Sequence, residues 1–143
     1  MNVPFILDTG PLVAWLCPRD EHHVWAKRAF AQLATGGMVC EAVIAEACHL
    51  VAKDGVARGK VIEFVERGHL TTVSLASELP LVRRLLDQYA DAPMDFADAC
   101  IVRLAELHDT AVVCTADKDF RFYRRNGRDA ITLIAPFVES QLG

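Results

Sequence analysis

Short apolar runs that stop abruptly, each followed by a stretch of helical periodicity, recur along this 143-residue chain. The first, Val3 to Leu7, ends at Asp8. A continuous apolar run of that length reads as a strand buried on both faces, because a strand with one wet face would alternate. Comparable runs are Met38 to Cys40, Leu70 to Leu75 with its β-branched Thr71, Thr72 and Val73, Ala111 to Cys114, and Ile131 to Ile134. Helices are expected between them. Leu12 to Leu16 follows the turn at Thr9-Gly10-Pro11, and His22 to Leu33 runs up to Gly36-Gly37. Ala42 to Lys53 is too alanine-rich for a strand, and Val56 to Glu66 is closed by Gly68. Ser77 to Tyr89 has Ser77 as its N-cap, and Asp95 to His108 follows the break at Pro93. Lys118 to Arg125 is expected to be a loop or a short helix. Strands alternating with helices predict an α/β fold, a parallel sheet covered by helices on both faces. Without repeats, low-complexity tracts or linkers, residues 1–143 read as a single domain.

Hydrophobic residues make up 52% and charged residues 24% of the chain, a globular balance that excludes intrinsic disorder. No run approaches the roughly 18 apolar residues of a membrane span. Met1 to Leu7 has no basic flank, so no signal peptide is expected. The five cysteines are odd in number and show no CxxC spacing, which suits free buried thiols and a cytoplasmic location. Fifteen bases against 19 acids give a formal charge of −4. That argues against binding nucleic acid by bulk attraction, though not against acids gathered in one site and offset by a cation.

The acids are placed unevenly. Asp8 closes the first apolar run and Asp117 lies just past the one ending at Cys114, so both are expected near the carboxyl edge of a parallel sheet, where ligands bind. Each also has a plain local role: Asp8 as an Asx-turn residue before Gly10-Pro11, and Asp117 and Asp119 as turn or cap residues before Phe120. Glu46 interrupts a nearly apolar helix, and a half-buried carboxylate needs a partner or a cation. His49 at i+3 and Lys53 at i+7 are the plain partners. Asp95 and Asp98, three apart, sit at the start of a helix, where an N-cap and an acid at the positive end of the dipole explain both. If these acids converge they repel one another and call for a countercharge. An all-oxygen donor set favours Mg²⁺ or Mn²⁺ over Zn²⁺. Such ions serve phosphodiester hydrolysis.

The ordered segments LDTGPL, VIAEACHLV, MDFADACIVRLAE and TADKDF together resemble the PIN-domain ribonucleases, especially the VapC-like toxins of toxin–antitoxin pairs. The resemblance covers nearly the whole chain. It implies a three-layer α/β/α sandwich with a central parallel sheet of four or five strands. It places the family's acidic quartet on Asp8, Glu46, Asp98 and Asp117, with Asp119 as a further metal-site acid and Thr115 as the hydroxyl beside the site. Thr9 is then a supporting donor, while Asp95 stands where many relatives carry Ser or Thr. Also implied are Mg²⁺ or Mn²⁺ as cofactor, RNA as substrate, a homodimer, and a cognate antitoxin protein that reaches into the active-site groove.

Basic residues crowd Lys118 to Arg128. Arg121, Arg124 and Arg125 are candidate contacts for RNA or antitoxin, and Phe120, Phe122 and Tyr123 are interleaved for stacking on bases. The alternative is a solvated cationic face over core aromatics. Two other functions compete. Leu7-Asp8-Thr9-Gly10 matches the active-site turn of aspartic proteases, which are all-β and need a second such aspartate. A non-catalytic PIN-like RNA-binding or RNA-processing module would have no use for four converging carboxylates.

Overall fold

β1 (Phe5–Leu7) is buried at every position, and it is the middle strand of the sheet. The computed structural model describes residues 3–33 and 36–138. Met1 and Asn2, part of the amino-terminal stretch weighed above, lie outside the described residues, as do 34–35 and 139–143.

After β1 come α1 (Thr9–Leu16), α2 (His23–Gln32), β2 (Gly37–Cys40), α3 (Glu41–Lys53), α4 (Gly59–Arg67) and β3 (Thr71–Val73). Then follow α5 (Leu79–Gln88), α6 (Phe96–Leu107) and β4 (Val112–Cys114). The chain ends in β5 (Arg124–Arg125), β6 (Asp129–Ala130) and β7 (Leu133–Ile134), with 3₁₀ turns at Ala76–Glu78 and Lys118–Arg121. Five strands form one parallel sheet in the order β3-β2-β1-β4-β7. Ile6 lies between Met38 on β2 and Val113 on β4.

The strand order decides where a site forms. The chain leaves β1 towards β2 and β3, then crosses back to β4 on the other side of β1. Right-handed crossovers therefore place the helices of the first half on one face and those of the return on the other. α1 packs with α2, α3 and α4, whereas α5 packs on α6, which lies across β1, β2 and β4. Between β1 and β4 the adjoining connections diverge to opposite faces, which opens a crevice at the carboxyl ends of those strands. α6 is buried along most of its length, from Ala97 to Ala105 with half-buried Arg103 excepted, as expected of a helix covering the middle of a sheet. The exposed Thr71 and Thr72 of β3 suit an edge strand.

Local chemistry moves several boundaries. α1 starts at Thr9 because the Asp8 side chain accepts the Thr9 N–H and caps it, so the expected turn is the helix's first turn. Pro11 is tolerated there because first-turn N–H groups have no helical partner. Ser77 is not a cap. It lies within the 3₁₀ turn, and α5 begins two residues later at Leu79 with no side-chain cap bond. The segment expected to be loop or helix splits into the 3₁₀ turn and the β5–β6 hairpin. Its turn uses left-handed Asn126 (φ 53°) and Gly127 (φ 77°), closed by the Arg128 N–H to the Arg125 carbonyl at 3.1 Å. Asn-Gly is a strong hairpin signal that the expectation above passed over. All five cysteines are free, four of them buried and Cys48 half-buried.

Gly37 pairs with Phe5 in the β1–β2 register. A Cβ there would strike the Phe5 ring and Leu70, so the missing side chain is a packing requirement between central and edge strands. Gly37→Ala is expected to destabilise the fold by roughly 1–3 kcal/mol through overpacking, read from denaturant unfolding.

Candidate functional site

Asp8 leaves the carboxyl end of β1 and is only 6% exposed. Its backbone N–H bonds the Cys114 carbonyl of β4 at 2.9 Å, which holds the two strand ends together. One carboxylate oxygen accepts the Thr9 N–H at 2.7 Å, and the other accepts the Thr115 hydroxyl at 2.7 Å. Thr115 is wholly buried, and its oxygen in turn accepts the Asp117 N–H at 2.9 Å. The Asp117 carboxylate accepts the Asp119 N–H at 2.9 Å and caps the 3₁₀ turn. A relay of hydrogen bonds thus runs from the β1 loop through the β4 loop.

Asp98 enters from α6. It forms a capping box with Asp95: the Asp98 N–H bonds Asp95 Oδ1 at 2.8 Å, and the Asp95 N–H bonds Asp98 Oδ2 at 3.1 Å. Asp98 is buried while Asp95 is exposed. Glu46 projects from α3, half-buried, one turn before Leu50. Asp8, Glu46, Asp95, Asp98 and Asp117 line one cleft of about 360 Å³, together with Thr9, Leu50 and Pro93. Gly10 and Ala116 complete its floor, where a Cβ on Gly10 would lie 3.2 Å from that of Ala116. Glycine at 10 therefore lets the β1 and β4 loops approach.

Burial pushes the Asp8 carboxyl up to about 6, against the pull of its bonds from Thr115 and Thr9 and with repulsion from Asp117 and Glu46. Burial likewise pushes Asp98 up to about 8, partly offset by the Asp95 N–H and reinforced by the charges of Asp95, Asp8 and Asp117. Asp117 is also raised by burial, and Asp119 both stabilises it through its N–H and repels it through its charge. The sequence-predicted acids are thus electrostatically joined.

Among the described residues, no group of three or more His, Cys, Asp or Glu side chains forms a ready metal-ligand cluster. The donor set still fits a hard divalent cation. The cleft offers only carboxylate charge, from four segments of chain, and burial with mutual repulsion raises Asp8, Asp98 and Asp117 above the ordinary carboxylate range, a strain that a cation relieves.

Other expectations need correction. Glu46 forms no ion pair with His49 or Lys53 among the described residues, and both of those are exposed. Thr9 supports Asp8 through its backbone N–H, while its buried hydroxyl has no partner. Asp119 does not line the cleft, although its N–H holds Asp117. Phe120 is buried, which bears out its reading as a core aromatic, and Tyr123 is buried too, so neither stacks on bases; Phe122 is 65% exposed and not core, against Arg121 at 5.4 Å. The Arg124 guanidinium donates to the carbonyls of Arg121 and Tyr123, and that of Arg125 to the carbonyl of Asp109. Arg121 Nε likewise donates to the Lys118 carbonyl at 3.1 Å, but its side chain stays exposed, as do Lys118 and Arg128.

The sequence matches the PIN domain family over residues 5–126. Among solved structures the chain is similar to VapC20 of Mycobacterium tuberculosis, described as a sarcin–ricin loop cleaving toxin. The TM-score is 0.71 at 19% identity, over 80% of this chain and 91% of that one. At this identity the likeness establishes the shared fold. No curated protein matches the chain at a significant level.

Asp8 and Asp98 have folded pKa values of about 6 and about 8 against an ordinary 3.8, so the unfolded chain releases these protons first. Their contribution to stability is greatest in acid and declines as pH rises from about 4 towards the folded values. Metal-free protein is expected to unfold more readily at pH 8 than at pH 5, other groups being equal. Asp98→Asn keeps an oxygen for the capping box and removes the buried charge. It should raise stability at pH 8 by roughly 1–3 kcal/mol and flatten the pH dependence, as thermal melts in chelator would show.

Proposed function

The chain belongs to the PIN-domain family, and on that premise we propose that it is a Mg²⁺- or Mn²⁺-dependent endoribonuclease, the toxin of a toxin–antitoxin pair. The observation that carries this reading is the meeting of Asp8, Glu46, Asp98 and Asp117 around one cleft where the strand order reverses. The likeness in fold to an RNA-cleaving toxin supports it.

Asp8, Glu46, Asp98 and Asp117 would hold the cation, directly or through water, and when bound it would supply positive charge at the phosphoryl oxygens and lower the pKa of a water. Thr115 orients Asp8 by donating to it, and the Thr9 N–H does the same from the other side. Asp95 holds the Asp98 backbone through the capping box. Asp119 acts on Asp117 through its N–H. Exposed Lys118, Arg121 and Arg128 receive the RNA backbone or the antitoxin, with Phe122 beside Arg121 available to a base. Homodimer formation and a cytoplasmic location complete the proposal; among the described residues, no helix is long and apolar enough to cross a membrane.

The parallel α/β sheet leaves no place for the all-β protease. A non-catalytic RNA-binding module is the competing reading. The burial of Asp8 and Asp98 weighs against it, because buried carboxylates cost stability and repel phosphate, a burden without benefit to a binder.

Asp8→Asn and Asp98→Asn are expected to lower RNA cleavage by at least about 10²-fold with the fold retained, and excess EDTA to abolish it. Full activity of either variant, or activity in EDTA, refutes the metal-dependent reading. Thr115→Val removes the donor to Asp8 and the acceptor for Asp117, so cleavage should fall roughly 10–100-fold in a Mg²⁺ titration. Replacing Lys118, Arg121 and Arg128 by Gln is expected to weaken RNA binding and flatten its salt dependence by up to about one phosphate per residue. Unchanged salt slopes would move the RNA path elsewhere.

A further inference from the structure

Two of the five cysteines meet. Cys40 ends β2 and Cys100 lies in α6, the helix packed across β2, and their side chains are hydrogen-bonded to one another. The other three have different surroundings. Cys17 lies beside Asp54, Cys48 donates to the Arg58 carbonyl at 3.7 Å, and Cys114 is wholly buried in β4. A buried cysteine by itself is a small hydrophobe. Two in contact from different elements are also the halves of a disulfide. The metal-site reading makes no use of either.

Both residues line one cavity of about 230 Å³, together with Ser74, Leu75, Leu79 and Phe96. Leu79 and Phe96 are exposed, so the cavity reaches the surface. It is far larger than the roughly 30 Å³ that one water occupies, and a water-sized oxidant fits inside. The two cysteines are thus buried in the core and yet border a space that a small molecule enters. Their positions also divide the work between them. Cys40 is the N-cap of the 13-residue α3, and its sulfur faces the N–H groups of Val43 and Ala42. The bond from Cys100 and those two N–H groups hold the Cys40 thiol below its ordinary range, against the effect of burial. Cys100, tied up with Cys40 and buried, is raised. Cys40 is therefore the nucleophile of the pair and Cys100 its partner.

We propose that Cys40 and Cys100 are a peroxide-sensitive thiol pair, whose disulfide fastens the start of α6 to the end of β2 and weakens cation binding in the acidic cleft until a thiol reductant reopens it. The Cys40 sulfur attacks peroxide, the O–O bond breaks, and a sulfenic acid and one water result. The Cys100 sulfur then displaces the hydroxyl from Cys40. Its own proton leaves with that hydroxyl as a second water, and the S–S bond forms. Two thiols have lost two electrons and two protons, and peroxide has become two waters. Reduction runs by thiol–disulfide exchange. A disulfide is about 2.05 Å long, so sulfurs in contact must approach by on the order of 1 Å. Asp98 stands two residues before Cys100 in the first turns of α6 and moves with it. Metal–ligand distances tolerate only about 0.2 Å. This consequence for the cleft rests on the metal-site reading above, whereas the thiol pair stands without it.

The whole chain, folded and in chelator, is treated with hydrogen peroxide, quenched with catalase and alkylated under denaturing conditions. Peptide mapping is expected to find Cys40 joined to Cys100, with free thiols falling from five to three. Mn²⁺ affinity, by electron paramagnetic resonance, and RNA cleavage should then each fall about tenfold, and dithiothreitol should restore both. Cys40→Ser and Cys100→Ser are expected to bind Mn²⁺ and cleave alike before and after peroxide. Cys48→Ser removes a thiol outside the pair and should keep the full response. Absence of the Cys40–Cys100 link overturns the proposal, and so does a peroxide response that survives in Cys40→Ser or Cys100→Ser. A link that forms with Mn²⁺ affinity unchanged overturns its control of the cleft. Reduced wild-type chain that neither binds Mn²⁺ nor cleaves RNA defeats the metal-site reading, and that control with it. The mapping requires neither activity nor a variant that folds, so it decides the thiol pair in every case.

Discussion

A carboxylate buried between the ends of two neighbouring parallel strands is the constraint around which this molecule is built. Asp8 cannot be left unpaired at 6% exposure, and its two oxygens are satisfied by groups from different parts of the chain. The Thr9 N–H comes from the helix that Asp8 caps, and the Thr115 hydroxyl comes from the far side of the β1–β4 pair. Through Thr115 the demand passes to the Asp117 N–H, and through the Asp117 carboxylate to the Asp119 N–H. The shape of both loops follows from satisfying one buried charge.

The site acids are also the local structure of the chain. Asp8 caps α1, Asp95 and Asp98 close a capping box on α6, and Asp117 caps a 3₁₀ turn. The plain reading and the functional one, alternatives at the level of sequence, hold together in the fold. A capping carboxylate at a helix start points its oxygens at backbone N–H groups, and at the carboxyl edge of a parallel sheet those helix starts surround the crevice. Only Glu46 lies within a helix and away from its ends. Among the described residues it is accordingly the cleft acid whose carboxylate accepts no backbone N–H.

The sheet, its parallel sense and most helices were legible because β1, β2 and β4 are apolar throughout and the helices between them keep their period. Boundaries slipped where local chemistry intervened, as at Asp8, whose cap moved the start of α1, and at Ser77, displaced from its expected role by the 3₁₀ turn. The basic segment was the least legible. Its composition left two readings open, RNA contacts with stacking aromatics or a solvated cationic face over core aromatics. The fold buries Phe120 and Tyr123, ends the segment in a hairpin through the left-handed Asn126-Gly127 turn, and engages Arg121, Arg124 and Arg125 with backbone carbonyls. Counting charges along a segment does not reveal which guanidinium groups already have partners.

By itself the sequence determined which stretches are buried strands and which are helices, where the acids stand relative to their ends, and membership of the PIN-domain family. Those properties are carried by periodicity and capping, which act over a few residues. The tertiary structure decided which acids share a cleft, which of them are buried, and which hydroxyls stand beside them. The bond from Thr115 to Asp8 spans 107 positions of sequence. Contacts of that kind depend on the order of strands in the sheet, and the order is settled by how the crossovers pack rather than by any local pattern. The formal charge of −4 shows the same division: composition supplied its size, and the fold gathered five of the acids around one cleft.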